Sequence, residues 1–185
     1  TAYRASWKRS LQLMSKSVQK SQWFLQSLAM VSVQQTGLVK SASLWPSKLV
    51  PSIAAGLPQF AVEWARCWGR DVFISIRGLF LGTGRFGEAK EHILAFASVL
   101  KHGMIPNLLS SGDAPRYNSR YSIWFFLQTI QDYANLAPEG AEILKAKTRR
   151  RFLPYDDTWF PTDDPRAYSK ENTIEEVIQE ALQRH

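Results

Sequence analysis

Residues 72–81, "VFISIRGLFL", carry apolar side chains around most of a helical wheel and follow directly on Trp68-Gly69-Arg70-Asp71. A helix that is oily nearly all round has to be enclosed on most of its faces. The fold must therefore surround this segment with other elements. The four residues before it pose a second constraint. They place an indole, a guanidinium and a carboxylate at a helix start, where the helix dipole favours Asp71. Either Arg70 and Asp71 satisfy each other inside a core, or they face a polar ligand across a pocket. Spacing alone leaves these two readings level.

Helical periods dominate the rest of the chain, and no run reads as a strand. A helix of mixed burial is predicted from about Ser21 to Val39, on Trp23, Phe24, Leu28, Val31 and Leu38. A linker containing Ser and Pro follows from Ser41 to Pro58 and closes with "AAGLPQF". Gly82 and Gly84 end the oily helix. From Phe86 to Leu100 the apolar residues fall on one stripe, as in an outer amphipathic helix, and Gly103 and Pro106 stop it. A third strong helix spans about Tyr121 to Leu136. Thr173 and Glu176 form a capping box for an amphipathic helix over Ile174 to Gln183. Enclosed helices alternating with one-faced helices, joined by long aromatic and polar loops, predict an all-α toroid. A plain helical bundle is the alternative, because periodicity cannot close a ring. The predicted division is an N-terminal helical segment with linker at 1–58 and a helical body at 59–185.

Charge and special residues narrow the function. The net charge of +7 and pI near 9.7 raise nucleic-acid binding. The excess is spread out, however, and its densest cluster, Lys145, Lys147 and Arg149-Arg150-Arg151, precedes acidic loops; a charge run of this kind reads as a solvated face. No apolar run is long enough to span a bilayer, so neither nucleic acid nor membrane is expected as a partner. The single cysteine, Cys67, excludes an internal disulfide framework and suits a reducing, cytoplasmic setting. Beside Trp68 it reads as packing rather than as a nucleophile. His92, His102 and His185 have no ligand spacing, the aspartate pairs lack calcium-loop spacing, and no phosphate-binding loop appears. No metal or cofactor is expected. Seven Trp, six Tyr and ten Phe can build platforms for amphipathic rings such as sugars.

Three constellations could carry chemistry. In Trp68, Arg70 and Asp71, charged hydrogen-bonding groups suit vicinal hydroxyls, and an indole can cover the apolar face of a ring. Ile105-Pro106-Asn107, with Tyr117-Asn118-Ser119-Arg120 beyond it, could line a rim, although turn chemistry alone accounts for such residues. Trp124, Gln128 and Asp132 share one face of the third helix, away from Ile123, Leu127, Ile130 and Ala134. A polar stripe on a buried helix needs a cavity, water or a ligand; on an exposed helix it is ordinary surface.

These segments carry a resemblance. "AAGLPQF", "RCWGRDVFISIRGLFLGTGRFGEAKEHILAFASVLKHGMIPNLL", "RYNSRYSIWFFLQTIQDY" and "TIEEVIQEALQRH" are similar to the C-terminal glucosidase half of the eukaryotic glycogen debranching enzyme family, from about Val31 to His185. The resemblance implies part of a glucoamylase-like (α/α)6 toroid. It implies amylo-α-1,6-glucosidase activity, which hydrolyses the single glucose left at a glycogen branch point, with glycogen or branched limit dextrin as partner. Arg70 and Asp71 would grip hydroxyls of the terminal glucose and Trp68 would wall its site. Asn107, Tyr117, Asn118, Arg120 and Trp124 would complete the substrate-binding set.

Two departures matter. Tyr121 stands where the family's pattern leads one to expect an aspartate, and Phe125-Phe126 replace tryptophan. An inverting glycosidase also needs two carboxyl groups about 6.5–9.5 Å apart. The resemblance implies that this pair lies C-terminal to His185, with about half of the toroid's helices. The chain alone is then expected to be inactive, to expose one side of its enclosed helices and to show poor solubility or self-association.

Overall fold

The computed structural model describes residues 1–40, 49–62, 65–109, 115–154, 156, 158, 160–161 and 163–185. Helices α1 (Ala2–Gln12), α2 (Lys16–Gln19) and α3 (Trp23–Gln35) come first. They gather around a small core of Met14, Ala29 and Met30, flanked by Trp7, Leu11, Val18 and Val33. The main core is built by α4 (Gly69–Ile76), α5 (Phe86–Ser98), α6 (Ser122–Leu136) and α7 (Ile174–Arg184).

Helix α4 holds the central position. Phe73 packs edge-to-face on Phe96 of α5 at 4.9 Å and on Phe126 of α6 at 5.0 Å. Such T-shaped pairs add favourable quadrupole contacts to the area they bury. The Thr129 hydroxyl of α6 donates to the Phe73 carbonyl at 3.0 Å, which fixes the two helices in register. Beyond Ile76 the helix widens into a π-type segment, Arg77–Leu81, in which the Gly82 amide reaches back to the Arg77 carbonyl at 2.9 Å. The expected stop follows: Gly84 has φ +80°, in the left-handed region that favours glycine. The Thr83 carbonyl accepts from the Ser15 amide at 2.8 Å, so this stop docks the N-terminal helices.

The expected enclosure of α4 is incomplete. Val72, Phe73, Ile76 and Phe80 are buried, but Ile74 is 52% exposed. Helix α5 buries one stripe, Ala89, Ile93, Phe96 and Ala97 together with His92, as its periodicity predicts. The predicted capping box of α7 is present: Glu176 N–H donates to Thr173 Oγ1 at 3.2 Å, and Thr173 N–H donates to Glu176 Oε2 at 2.8 Å.

The chain is mostly helical, but the expectation of no strands needs correction. Strand β1 (Thr36–Val39) pairs antiparallel with β2 (Val50–Ile53), and β3 (Lys147–Arg150) pairs antiparallel with β4 (Lys170–Thr173). Each strand is four residues long, β2 contains Pro51 and β3 is polar, so none gives an apolar alternation. The helix predicted over 21–39 ends at Gln35, where its carbonyl accepts from Arg66 Nη2 and from the Ala54 amide, both at 2.8 Å. Within the stretch read as linker, Val50 and Ile53 join the main core; residues 41–48 lie outside the described set.

The basic cluster is also corrected. Arg150 and Arg151 are buried rather than solvated. The alternation of β3 turns Thr148 and Arg150 inward and Lys147 and Arg149 outward. Arg150 Nη1 meets Glu180 Oε2 of α7 at 2.8 Å, and Nη2 donates to the Leu100 carbonyl at 2.9 Å. A charge this deep survives only when paired. This arginine is therefore absent from any surface patch that could meet phosphates.

Candidate functional site

The turn before α4 is held from behind. Trp68 N–H is tied to the Arg66 carbonyl, Gly69 N–H donates to the Asn107 carbonyl at 2.8 Å, and Leu109 N–H donates to the Cys67 carbonyl at 2.9 Å. On its other side the 107–109 segment exchanges hydrogen bonds with Arg116: Asn107 N–H to the Arg116 carbonyl at 2.7 Å, and Arg116 N–H to the Leu108 carbonyl at 2.9 Å. The first two sequence constellations are thus one backbone unit. A side chain at Gly69 would overlap the Pro106 carbonyl oxygen, so only glycine permits this approach.

The unit presents Arg70 and Asp71 outward. Arg70 Nη2 lies 3.5 Å from Asp71 Oδ1, with the two side chains 44% and 35% exposed. That exposure rules out an ion pair sealed in a core. Arg70 Nη1 donates to the Tyr121 hydroxyl at 3.0 Å, linking the start of α4 to the residue that opens α6. The guanidinium pKa is raised, first by this hydrogen bond and then by the charge of Asp71. Arg70, Asp71 and Tyr121 line a cleft of about 620 Å³, with Val31 and Gln35 of α3, Ile53 to Ala55, and Ile74, Ser75, Leu79 and Phe125. Its volume suits one small organic molecule. Its chemistry is mixed: one cation, one anion and a phenol beside aliphatic and aromatic walls. Such a set can donate to and accept from neutral hydroxyls while an apolar face covers a ring.

The other candidate residues are placed differently. Trp68 is half-buried behind the turn; its indole N–H donates to the Ala65 carbonyl at 2.6 Å, and its ring meets Phe60 edge-on at 6.0 Å. Asn107 is half-buried and contributes its backbone to the unit. Tyr117 turns into the core, where its hydroxyl donates to the Val99 carbonyl and its ring packs on Phe152. Burial pushes that phenol's pKa strongly upward. Asn118 and Arg120 are exposed on the loop before α6. Trp124 is 48% exposed and its ring lies 5.3 Å from that of His185. Its stripe is satisfied within the chain: Gln128 is exposed and donates to Asp132 Oδ1 at 3.2 Å, Arg77 approaches the same oxygen at 3.5 Å, and the Asp132 side chain is largely covered. Only Arg70 and Asp71 of the eight candidates line the cleft.

Sequence reasoning did not place Gln35, Ser75 or Phe125 at the cleft, and it treated Tyr121 only as a departure. The period of α4 offered a signal: Asp71, Ile74 and Ser75 share its face at spacings of three and four. Gln35 came from a distant helix and had no local signal.

Other titratable groups serve the fold. Burial pushes the Cys67 thiol up to about 11, and Ser52 Oγ donates to its sulfur at 3.4 Å. His92 accepts the Ile53 amide proton at Nε2 (3.1 Å), which leaves Nδ1 as donor to the Glu88 carbonyl at 2.7 Å. Burial lowers its pKa to about 4. Among the described residues no group of three or more His, Cys, Asp or Glu could hold a metal ion, and no helix is long and apolar enough to cross a membrane.

Comparison with known proteins relates the chain to a family. Residues 15–185 match the family model described as amylo-alpha-1,6-glucosidase. The glycogen debranching enzyme of Saccharomyces cerevisiae (strain ATCC 204508 / S288c) is 58% identical over 177 residues. That match covers 96% of this chain and 12% of the relative's length.

Proposed function

This chain belongs to the amylo-α-1,6-glucosidase family, and from that premise we propose that it supplies one wall of a glucose pocket in a longer glycogen debranching enzyme. The longer protein would hydrolyse the α-1,6-linked glucose at glycogen branch points, with glycogen or branched limit dextrin as substrate and the cytoplasm as its place of work. The chain would form part of an (α/α)6 toroid, with α4 and α6 toward the hub and α5 toward the rim. The exposed apolar side chains Ile74 on α4 and Trp124 and Phe125 on α6 support that order, since hub helices would meet further helices there.

One observation carries the reading. The cleft holds Arg70 and Asp71 with their charged ends exposed, beside Phe125 and Ile74. Arg70 would donate to a glucose oxygen and Asp71 would accept from a hydroxyl, while Trp68 would buttress the turn from behind. Asn107 and Tyr117 would support the rim through the backbone and core contacts described above, and the exposed Asn118, Arg120 and Trp124 would meet more distant sugar units. Hydrolysis would use a carboxyl pair outside this chain.

The test is glucose release from a branched limit dextrin by the longer protein that contains this chain. Asp71→Asn is expected to lower kcat/KM about 100-fold, because a site built to hydrogen-bond a hydroxyl is impaired when that partner changes character. An unchanged kcat/KM in this variant would overturn the reading. Tyr121, a phenol where the resemblance leads one to expect a carboxylate, favours a second reading: a glycogen-binding protein without hydrolysis. In the same assay that protein would bind the dextrin and release no glucose.

A further inference from the structure

We infer that Tyr121 is a positioning residue for Arg70, holding the guanidinium at the cleft and so setting the affinity for the terminal sugar. The inference rests on the glucose-pocket reading and adds a residue to it.

Arg70 has a long, flexible side chain near the first turn of α4, with 44% of it exposed. An exposed arginine of this kind gives up much rotamer freedom when it is fixed. Asp71 alone holds it weakly: the pair is adjacent in sequence, 3.5 Å apart and open to solvent, a class of ion pair that contributes little. The second anchor is the Tyr121 hydroxyl, at 3.0 Å from Nη1. Tyr121 is 50% exposed but has less freedom to lose than Arg70. It has two side-chain torsions, its ring meets Phe125 edge-on at 6.5 Å, and its backbone carbonyl accepts from Trp124 N–H at 3.1 Å as α6 begins.

The phenol acts by accepting from Arg70, which occupies one guanidinium N–H and leaves the others free to donate. The cleft therefore offers a held cation and a carboxylate, with no net charge between them. A neutral polyol, which both accepts and donates hydrogen bonds, fits that pair.

The experiment uses the longer protein that contains this chain, with D-glucose as the probe and ligand-observed NMR titration as the readout. Tyr121→Phe, which removes one oxygen, is expected to raise the Kd about ten-fold, the effect of one lost hydrogen bond to a charged group. Its melting temperature should stay that of the parent. Arg70→Ala should weaken binding as well, and Tyr121→Phe should then add nothing, because the two residues act as one unit. Equal Kd values for parent and Tyr121→Phe would overturn the inference and leave the pocket intact. Additive losses in the double variant would also overturn it, by showing that Tyr121 acts independently of Arg70. A parent protein that binds no glucose would instead sink the pocket reading itself, and this inference with it.

Discussion

Gly69 lies against the Pro106 carbonyl while its amide donates to the carbonyl of Asn107 at 2.8 Å. The start of α4 and the 105–109 segment are therefore one rigid piece, and Arg70 and Asp71 inherit their aim from it. Gly69→Ala would force a methyl into the Pro106 oxygen. Overpacking of this kind costs about 1–3 kcal/mol. Urea denaturation should show that loss, and glucose binding should weaken beyond what the stability change explains. Unchanged stability would mean that the two segments separate easily.

Glu180→Ala should be more damaging than any surface substitution on α7. It would leave Arg150, with 1% of its side chain exposed, buried beside the Leu100 carbonyl without its counter-charge. Removing one partner of a buried pair costs about 3–5 kcal/mol. Chemical denaturation measures this directly. A paired replacement, Arg150→Met with Glu180→Leu, should recover most of the loss, since an apolar pair of similar volume removes both buried charges.

Stability should fall with acid through His92. Its native pKa is near 4, below the value of 6.5 for a free imidazole. Between those values the unfolded chain binds a proton that the folded chain refuses, so stability rises with pH across that window. The contribution is complete above about pH 6.5 and is lost as pH falls towards 4; the difference amounts to about 3 kcal/mol. Protonation would also remove the Nε2 lone pair that accepts from Ile53. Denaturation curves at pH 4.5 and 7.5 should differ less for His92→Gln than for the parent. Parallel pH dependences would place the titration elsewhere.

The sequence revealed its long elements because each repeats one local rule several times. The stripe of α5, the capping box of α7 and the glycine stop at Gly84 are all within reach of neighbouring residues. The strands gave no such signal, since four residues around Pro51 or within Lys147–Arg150 acquire their pattern only from a distant partner. The same reason hid the buried arginines. Nothing beside Arg150 announces Glu180, which comes from a separate helix. At the cleft, the turn that carries Arg70 and Asp71 was legible from crowding of unlike groups. Its opposite wall, from Gln35 and Ala54 to Tyr121, is assembled across the chain and was not. Tyr117 illustrates the converse: an aromatic in a polar loop whose hydroxyl is committed to Val99 in the core.

Arg66 has a consequence for how the molecule opens. Its guanidinium donates to the carbonyls of Gln35, Ser52 and Ala61, which fastens together the end of α3, strand β2 and the 59–61 turn. Gln35 is 31 positions away in sequence and Ser52 is 14, so one side chain closes two loops as a covalent crosslink would. Unlike a crosslink, it releases all of its partners at once. The amides of Ala54 and the β1–β2 ladder should therefore exchange with solvent as a single cooperative unit, whose opening would remove one wall of the cleft while the α4–α5–α6 core stayed closed.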